Sequence, residues 1–212
     1  MSADARYPDM TSQTVQLLRD HGATDPVVFL NGRGVPRLDL SWYDLVHEGE
    51  PPASWTDSRN LHDYCCAYRE VVRRALADGV ERLLITEDDL EFSPSFSAVM
   101  TRAQVPDDWQ LLYYGAFHYW ASEPASHVAP YVVRLNGGQL GIQAVGWRRE
   151  AMERFLETPN DRTLDRVVAG MHTEIPSYCL EPSVIRQAQG VRSVVDPREE
   201  PFSANFLYQI RS

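Results

Sequence analysis

Residues 80–92 read Val-Glu-Arg-Leu-Leu-Ile-Thr-Glu-Asp-Asp-Leu-Glu-Phe. The run Arg82-Leu-Leu-Ile-Thr86 is short and apolar, the pattern of a strand buried on both faces. Glu87, Asp88 and Asp89 follow it at once. Upstream, Leu61, Tyr64, Cys65, Tyr68, Val71, Val72, Ala75 and Leu76 recur at helical spacing, and Gly79 supplies the stop. Downstream, Ser93-Pro94 opens another helix that turns Phe96, Val99, Met100 and Ala103 inward. Trp109-Gln-Leu-Leu-Tyr-Tyr114 is the next strand, closed by Gly115. This alternation predicts an α/β layer fold with a mostly parallel central sheet flanked by helices. Ligands of such sheets sit beyond the carboxyl ends of the strands, where the acidic triplet falls.

Further out, Thr11 to His21 reads as a helix with Val15, Leu17 and Leu18 on its apolar face. Pro26 to Asn31 reads as a buried strand, and residues 32–58 as a long loop of the kind that often carries function. A second loop, from Gly115 to Pro130, contains His118 and His127. Tyr131 to Leu135 and Leu140 to Trp147 read as strands around Asn136-Gly137-Gly138, and Gly137-Gly138-Gln139-Leu140-Gly141 is either a hairpin turn or a place where backbone meets a ligand. Helices are expected at Arg148–Glu157 and Asp161–Gly170, and short strands at Tyr178–Leu180 and Val191–Val195. Residues 1–195 form one domain in this reading. Residues 196–212, with Phe202, Phe206 and Tyr208, form an arm packed on it.

All 20 basic residues of the 212 are Arg, against 30 acidic ones, for a net charge of −10. The absence of Lys excludes Schiff-base chemistry, a Walker-A lysine and the strand lysine of protein kinases. Any phosphate clamp must use Arg, backbone N–H groups or a metal. The negative charge disfavours non-specific binding to nucleic acid or anionic membrane. Cys65, Cys66 and Cys179 do not suit a disulfide framework and fit reduced thiols. No apolar run approaches the roughly 18–20 residues of a membrane span, and no signal-peptide pattern opens the chain, so a soluble, cytoplasmic protein is expected.

Like charges about 4 Å apart repel by roughly 4 kcal/mol at an effective dielectric near 20. The triplet therefore either takes up protons, lies in a solvated turn or holds a cation. Oxygen-only ligands suit Mg2+ or Mn2+. Glu87 and Asp89, two apart in extended chain, point to one side, and Asp88 to the other.

Residues 80–92 also resemble the "hvlILEDDvel" segment of the family 25 glycosyltransferases, the LPS-type sugar transferases with a GT-A-like, Rossmann-related fold. The preceding helix, Tyr64 to Leu76, is similar to theirs. Trp109 to His118 resembles "wDllyLGgnh", and Gly141 to Ala151 resembles "gtqAYliSrkgA". Thr163-Leu-Asp165 and Pro182 to Gln187 are similar to the family's later Asp and its "Pplv.Q" segment. The order holds over residues 60–195. The family's nucleotide-cradling opening strand has no apolar counterpart before the first helix, and Arg6 is the one residue there that answers to it.

The resemblance implies an inverting, metal-dependent transfer of a sugar from a nucleotide-diphosphate donor, a UDP-sugar foremost, to an acceptor hydroxyl, a glycan foremost. Glu87 and Asp89 are the implied metal positions, with His118 or His172 as a late ligand and Asp88 nearer the sugar. Asp165 is the implied general base, with Asp161 and Glu174 as rivals. Gly141, Gln143, Gln187 and Arg6 are implied on the donor, while Trp42, Trp55, Trp120 and Trp147 are candidates to stack on sugar faces. The alternatives are a catalytically inactive carbohydrate- or nucleotide-binding protein, or another Mg2+-dependent phosphoryl-transfer or hydrolytic enzyme.

Overall fold

The computed structural model describes residues 7–20, 28–31, 43–46, 51, 53, 55, 59–87, 90–118, 126–137 and 139–188. In chain order they form α1 (Tyr7–Asp20), β1 (Val28–Asn31), β2 (Tyr43–Val46), α2 (Arg59–Ala77), β3 (Arg82–Thr86), β4 (Leu90–Phe92) and α3 (Phe96–Arg102). There follow β5 (Leu111–Tyr113), β6 (Phe117–His118), β7 (Ser126–Ala129), β8 (Val132–Arg134), β9 (Gln139–Leu140) and β10 (Ala144–Arg148). Helices α4 (Arg149–Glu157) and α5 (Leu164–Met171) and strands β11 (Ser177–Leu180) and β12 (Ile185–Gln187) complete the fold. The expected strand at 191–195 and the arm at 196–212 lie outside the described residues. Among the described residues, no helix is long and apolar enough to cross a membrane.

The fold is α/β, built on a six-stranded sheet of order β3-β10-β5-β11-β8-β7. The sheet is mostly antiparallel, which corrects the expected mostly parallel one. Only β5 and β11 pair in parallel, and β10 runs antiparallel between β3 and β5. An apolar run reports burial and not direction, so the sequence pattern could not reveal this reversal. Because β10 opposes both neighbours, β3, β5 and β11 still share one direction and end at one edge.

Alternation along the strands gives the sheet two different faces. Ile85, Val145, Tyr113, Cys179 and Val133 line up across the register on one face, and packed on them are Cys65, Tyr68, Val72 and Ala75 of α2. Ala151, Met152 and Phe155 of α4 and Leu164, Val168 and Met171 of α5 close the same core. The other face carries Ala144, Leu112, Tyr178 and Leu180 under Val99 of α3, Leu90 of β4 and Ile185 of β12. Arg69 of α2 ties α2 to α4 by donating to the carbonyls of Phe155, Leu156 and Thr158 at 2.7–3.2 Å, the C-terminal oxygens that a helix leaves unpaired.

Three further expectations need correction. Strand β3 is not buried on both faces: Leu84 is 41% exposed, because β3 is the end strand of the described sheet and α3 does not cover that position. The loops expected at 32–58 and 115–130 contain β2, which pairs in parallel with β1, and also β6 and β7. β8 and β10 do not pair as a hairpin, since β8 pairs with β7 and β11 while β10 lies on the far side of β5.

Candidate functional site

At the shared edge, β3 and β10 stay paired one residue past the ladder, where the Glu87 N–H donates to the Gln143 carbonyl at 2.9 Å. Glu87 thus falls on the same face as Ile85, toward α2. From that helix the Tyr64 hydroxyl donates to Glu87 Oε1 at 2.8 Å. Tyr68, one turn on, meets the Tyr64 ring edge-on at 6.3 Å and accepts the Trp147 indole N–H at 3.0 Å. Trp147 is fully buried, so it belongs to the core and not to a sugar-stacking surface.

Asp165 reaches the same place from the first turn of α5. Its Oδ1 accepts the Gly141 N–H at 2.8 Å, and Gly141 has φ +104°, a conformation open to glycine. Burial pushes the Asp165 carboxyl above its usual range, and the bond from Gly141 opposes that rise. Burial, then the charge of Glu87, drives the Tyr64 phenol well above its usual range, and Asp165 adds to the effect. Tyr68 and Tyr113 are raised too, by burial first, and Asp165 acts on both. Two carboxylates from distant elements thus anchor to one stretch of backbone, Asp165 through the Gly141 N–H and Glu87 through the carbonyl of the buried Gln143.

The rival bases lie elsewhere. Asp161 is exposed and pairs with Arg162 at 2.9 Å, while Glu174 pairs with Arg154 at 2.6 Å on the surface. His172 is fully enclosed and shares a 2.9 Å hydrogen bond with the Tyr113 hydroxyl. Burial lowers its pKa to about 3, so it is a neutral core residue. His118 stands in the short β6–β9 ladder opposite Gln139, two residues before Gly141. Gln187 stands opposite Leu90, the residue that follows the triplet. Asp88, Asp89 and Arg6, with Trp42 and Trp120, lie outside the described residues.

Sequence reasoning placed Tyr64, Tyr68 and Tyr113 only as apolar face or strand residues. The available signal was two tyrosines four apart on α2, whose hydroxyls need partners when buried. Glu87 supplies the hard oxygen donor that a divalent cation prefers, and one of its oxygens is engaged by Tyr64. Among the described residues, no group of three or more His, Cys, Asp or Glu is arranged to hold a metal.

No family model matches the chain, and a search of curated proteins finds no significant match. Among solved structures the chain resembles a glycosyltransferase involved in the glycosylation of the major capsid of PBCV-1. The two are 10% identical with a TM-score of 0.33, over 85% of this chain and 89% of the other, a likeness too remote to bear on activity.

Proposed function

We propose that the chain is a glycosyltransferase of the family 25 type, moving a sugar from a nucleotide-diphosphate donor to an acceptor hydroxyl with inversion. One observation carries the reading beyond the order of the sequence motifs. Gly141, which donates to Asp165, and Gln143, whose carbonyl receives the Glu87 N–H, lie two residues apart just before β10, at the edge where β3, β5 and β11 end.

In this reading Asp165 takes the proton of the acceptor hydroxyl as its oxygen bonds to the anomeric carbon, and the bond from that carbon to the diphosphate breaks. The desolvation that raises the half-buried Asp165 carboxyl makes it a stronger base than a solvated carboxylate. The Gly141 N–H fixes one of its oxygens and so orients the other. By the resemblance, Glu87, Asp89 and His118 would hold the cation, Mn2+ or Mg2+, and Asp88 would serve the sugar. The cation would offset charge developing on the leaving diphosphate. The resemblance assigns Gly141, Gln143, Gln187 and Arg6 to the donor, and the absence of Lys leaves the diphosphate to Arg and the metal.

The test is a screen of nucleotide sugars with and without Mn2+, read by melting temperature and by nucleotide release. A productive donor stabilises the native state and is turned over only with the cation. Asp89→Ala keeps the fold and loses turnover. Stabilisation without turnover of any donor would reassign the chain to binding, and full turnover by Asp89→Ala would remove the metal role.

A further inference from the structure

The edge where β3, β5 and β11 end carries a second carboxylate on the sheet itself. β11 stops at Leu180, and the Glu181 N–H donates to the Tyr131 carbonyl at 2.9 Å, which continues the pairing with β8 one residue further. Alternation then puts Glu181 on the face of Cys179, the face that Ile85 and Glu87 share. The electrostatics agree: burial first, and then the Glu181 charge, raises the Cys179 thiol. Burial also raises the Glu181 carboxyl, and His127, paired with Val133 on the same face, opposes that rise. Glu87 and Glu181 thus stand three strand spacings apart, roughly 14 Å, too far for one small group to touch both.

Their oxygens differ. Glu87 Oε1 receives the Tyr64 hydroxyl at 2.8 Å. Glu181 Oε2 is buried and has no hydrogen-bond partner among the described residues. The same is true of Ser183 Oγ, two residues on, which lies 3.2 Å from where a Gly115 Cβ would stand. A buried oxygen without a partner carries its desolvation cost uncompensated, and a pair of them at a strand-end edge calls for a ligand that supplies the missing bonds.

We infer that Glu181, together with Ser183, binds hydroxyl groups of the sugar acceptor. The inference rests on the proposed transfer, in which Asp165 takes the proton of the acceptor hydroxyl. Asp165 is anchored through Gly141 just before β10, and after burial its charge is the next influence on Tyr113 of β5. It therefore stands between the two ends of the edge. Inversion brings acceptor and leaving group to opposite sides of the anomeric carbon. With the acidic end of β3 assigned to the diphosphate, the rest of the acceptor extends toward β11. A carboxylate accepts from sugar hydroxyls and a serine both donates and accepts, so this contact requires no cation.

The experiment is a saturation-transfer NMR titration of the full chain with methyl β-galactoside and methyl β-glucoside, alongside melting curves. The wild type is expected to bind at least one of them saturably. Glu181→Gln, which exchanges the charged acceptor for an amide, is expected to weaken that binding by about tenfold or more, and Ser183→Ala by about three- to tenfold. Glu153→Gln, on the exposed side of α4, is expected to stay within about twofold of wild type. Glu181→Gln and Ser183→Ala should melt no lower than wild type, since neither breaks a described hydrogen bond. Wild-type affinity in Glu181→Gln overturns the inference, and a lowered melting temperature with it assigns the side chain to the fold. No saturable binding of either glycoside by the wild type also overturns the inference, while nucleotide release from a donor would leave the transfer reading standing. Glu181-dependent binding without turnover of any donor overturns that reading instead and leaves a sugar-binding site.

Discussion

The two faces of the sheet are built on different principles. Beneath α3, β4 and β12 the core is made of Leu90, Val99, Leu112, Val132, Leu180, Val184 and Ile185. Its main polar cluster sits at the rim, where Tyr178 donates to Asp108 and accepts from Arg134. Beneath α2, α4 and α5 the interior itself carries polar pairs, Trp147 to Tyr68 and Tyr113 to His172, and they continue outward into the half-buried pairs Tyr64 to Glu87 and Gly141 to Asp165. An apolar face tolerates small shifts, whereas paired polar groups at 2.8–3.0 Å fix positions. Only the second arrangement can hold carboxylates in set places, which is what a catalytic site requires.

The sharpest way to break this contrast is Asp165→Asn. The amide oxygen still accepts from Gly141, so the fold stays, but the proposed base is gone. Turnover is expected to fall by about a hundredfold to ten-thousandfold with donor affinity little changed. Equal loss of both in steady-state kinetics would make Asp165 a structural residue.

The second comparison sets Trp147→Ala against Leu180→Ala. Both empty a buried site, at about 3–5 and 2–5 kcal/mol respectively by denaturant unfolding. Trp147→Ala also frees the Tyr68 hydroxyl and should lower turnover of the surviving folded protein, while Leu180→Ala should not. Equal turnover in the two variants would dissolve the distinction between the faces.

His172 gives a pH signature to the polar face. Its folded pKa of about 3 lies below the unfolded value of 6.5, so the unfolded chain binds more protons between these limits. Stability is therefore complete above about pH 6.5 and is lost as pH falls toward 3, by up to roughly 4–5 kcal/mol. The raised Asp165 works in the opposite sense, favouring the fold when protonated and losing that contribution as pH rises. Unfolding curves from pH 4 to 7 should be flatter with acidity in His172→Gln than in wild type. The smallest effect belongs to Leu84→Ser, at the uncovered position of β3, expected within about 0.5 kcal/mol.

Local signals made much of the fold readable. The stripe Cys65, Tyr68, Val72 and Ala75 is the buried face of α2, and Arg82 to Thr86 is a strand as its run suggests. Strand direction was not readable, because the reversal of β10 is decided by tertiary pairing with β3 and β5. Nor was the role of Gly115, where a Cβ would meet the Ile185 carbonyl at 2.2 Å, so only glycine lets the β12 segment pass. Of the proposed site, Glu87 was singled out from charge crowding at a strand end. Asp165 was singled out only through resemblance, since a first-turn Asp is ordinarily exposed. The phenols escaped notice because tyrosine at helical spacing reads as apolar until its hydroxyl partner is known.

The central claim is that Glu87 and Asp165 belong to one cation-dependent site. It is tested most directly by nucleotide release from a sugar donor, measured across Mn2+ concentrations for wild type and Glu87→Gln of matched melting temperature. The account predicts saturable activation of wild type and, in Glu87→Gln, at least a hundredfold lower turnover with activation shifted to higher Mn2+. Identical activation curves for the two proteins would contradict it.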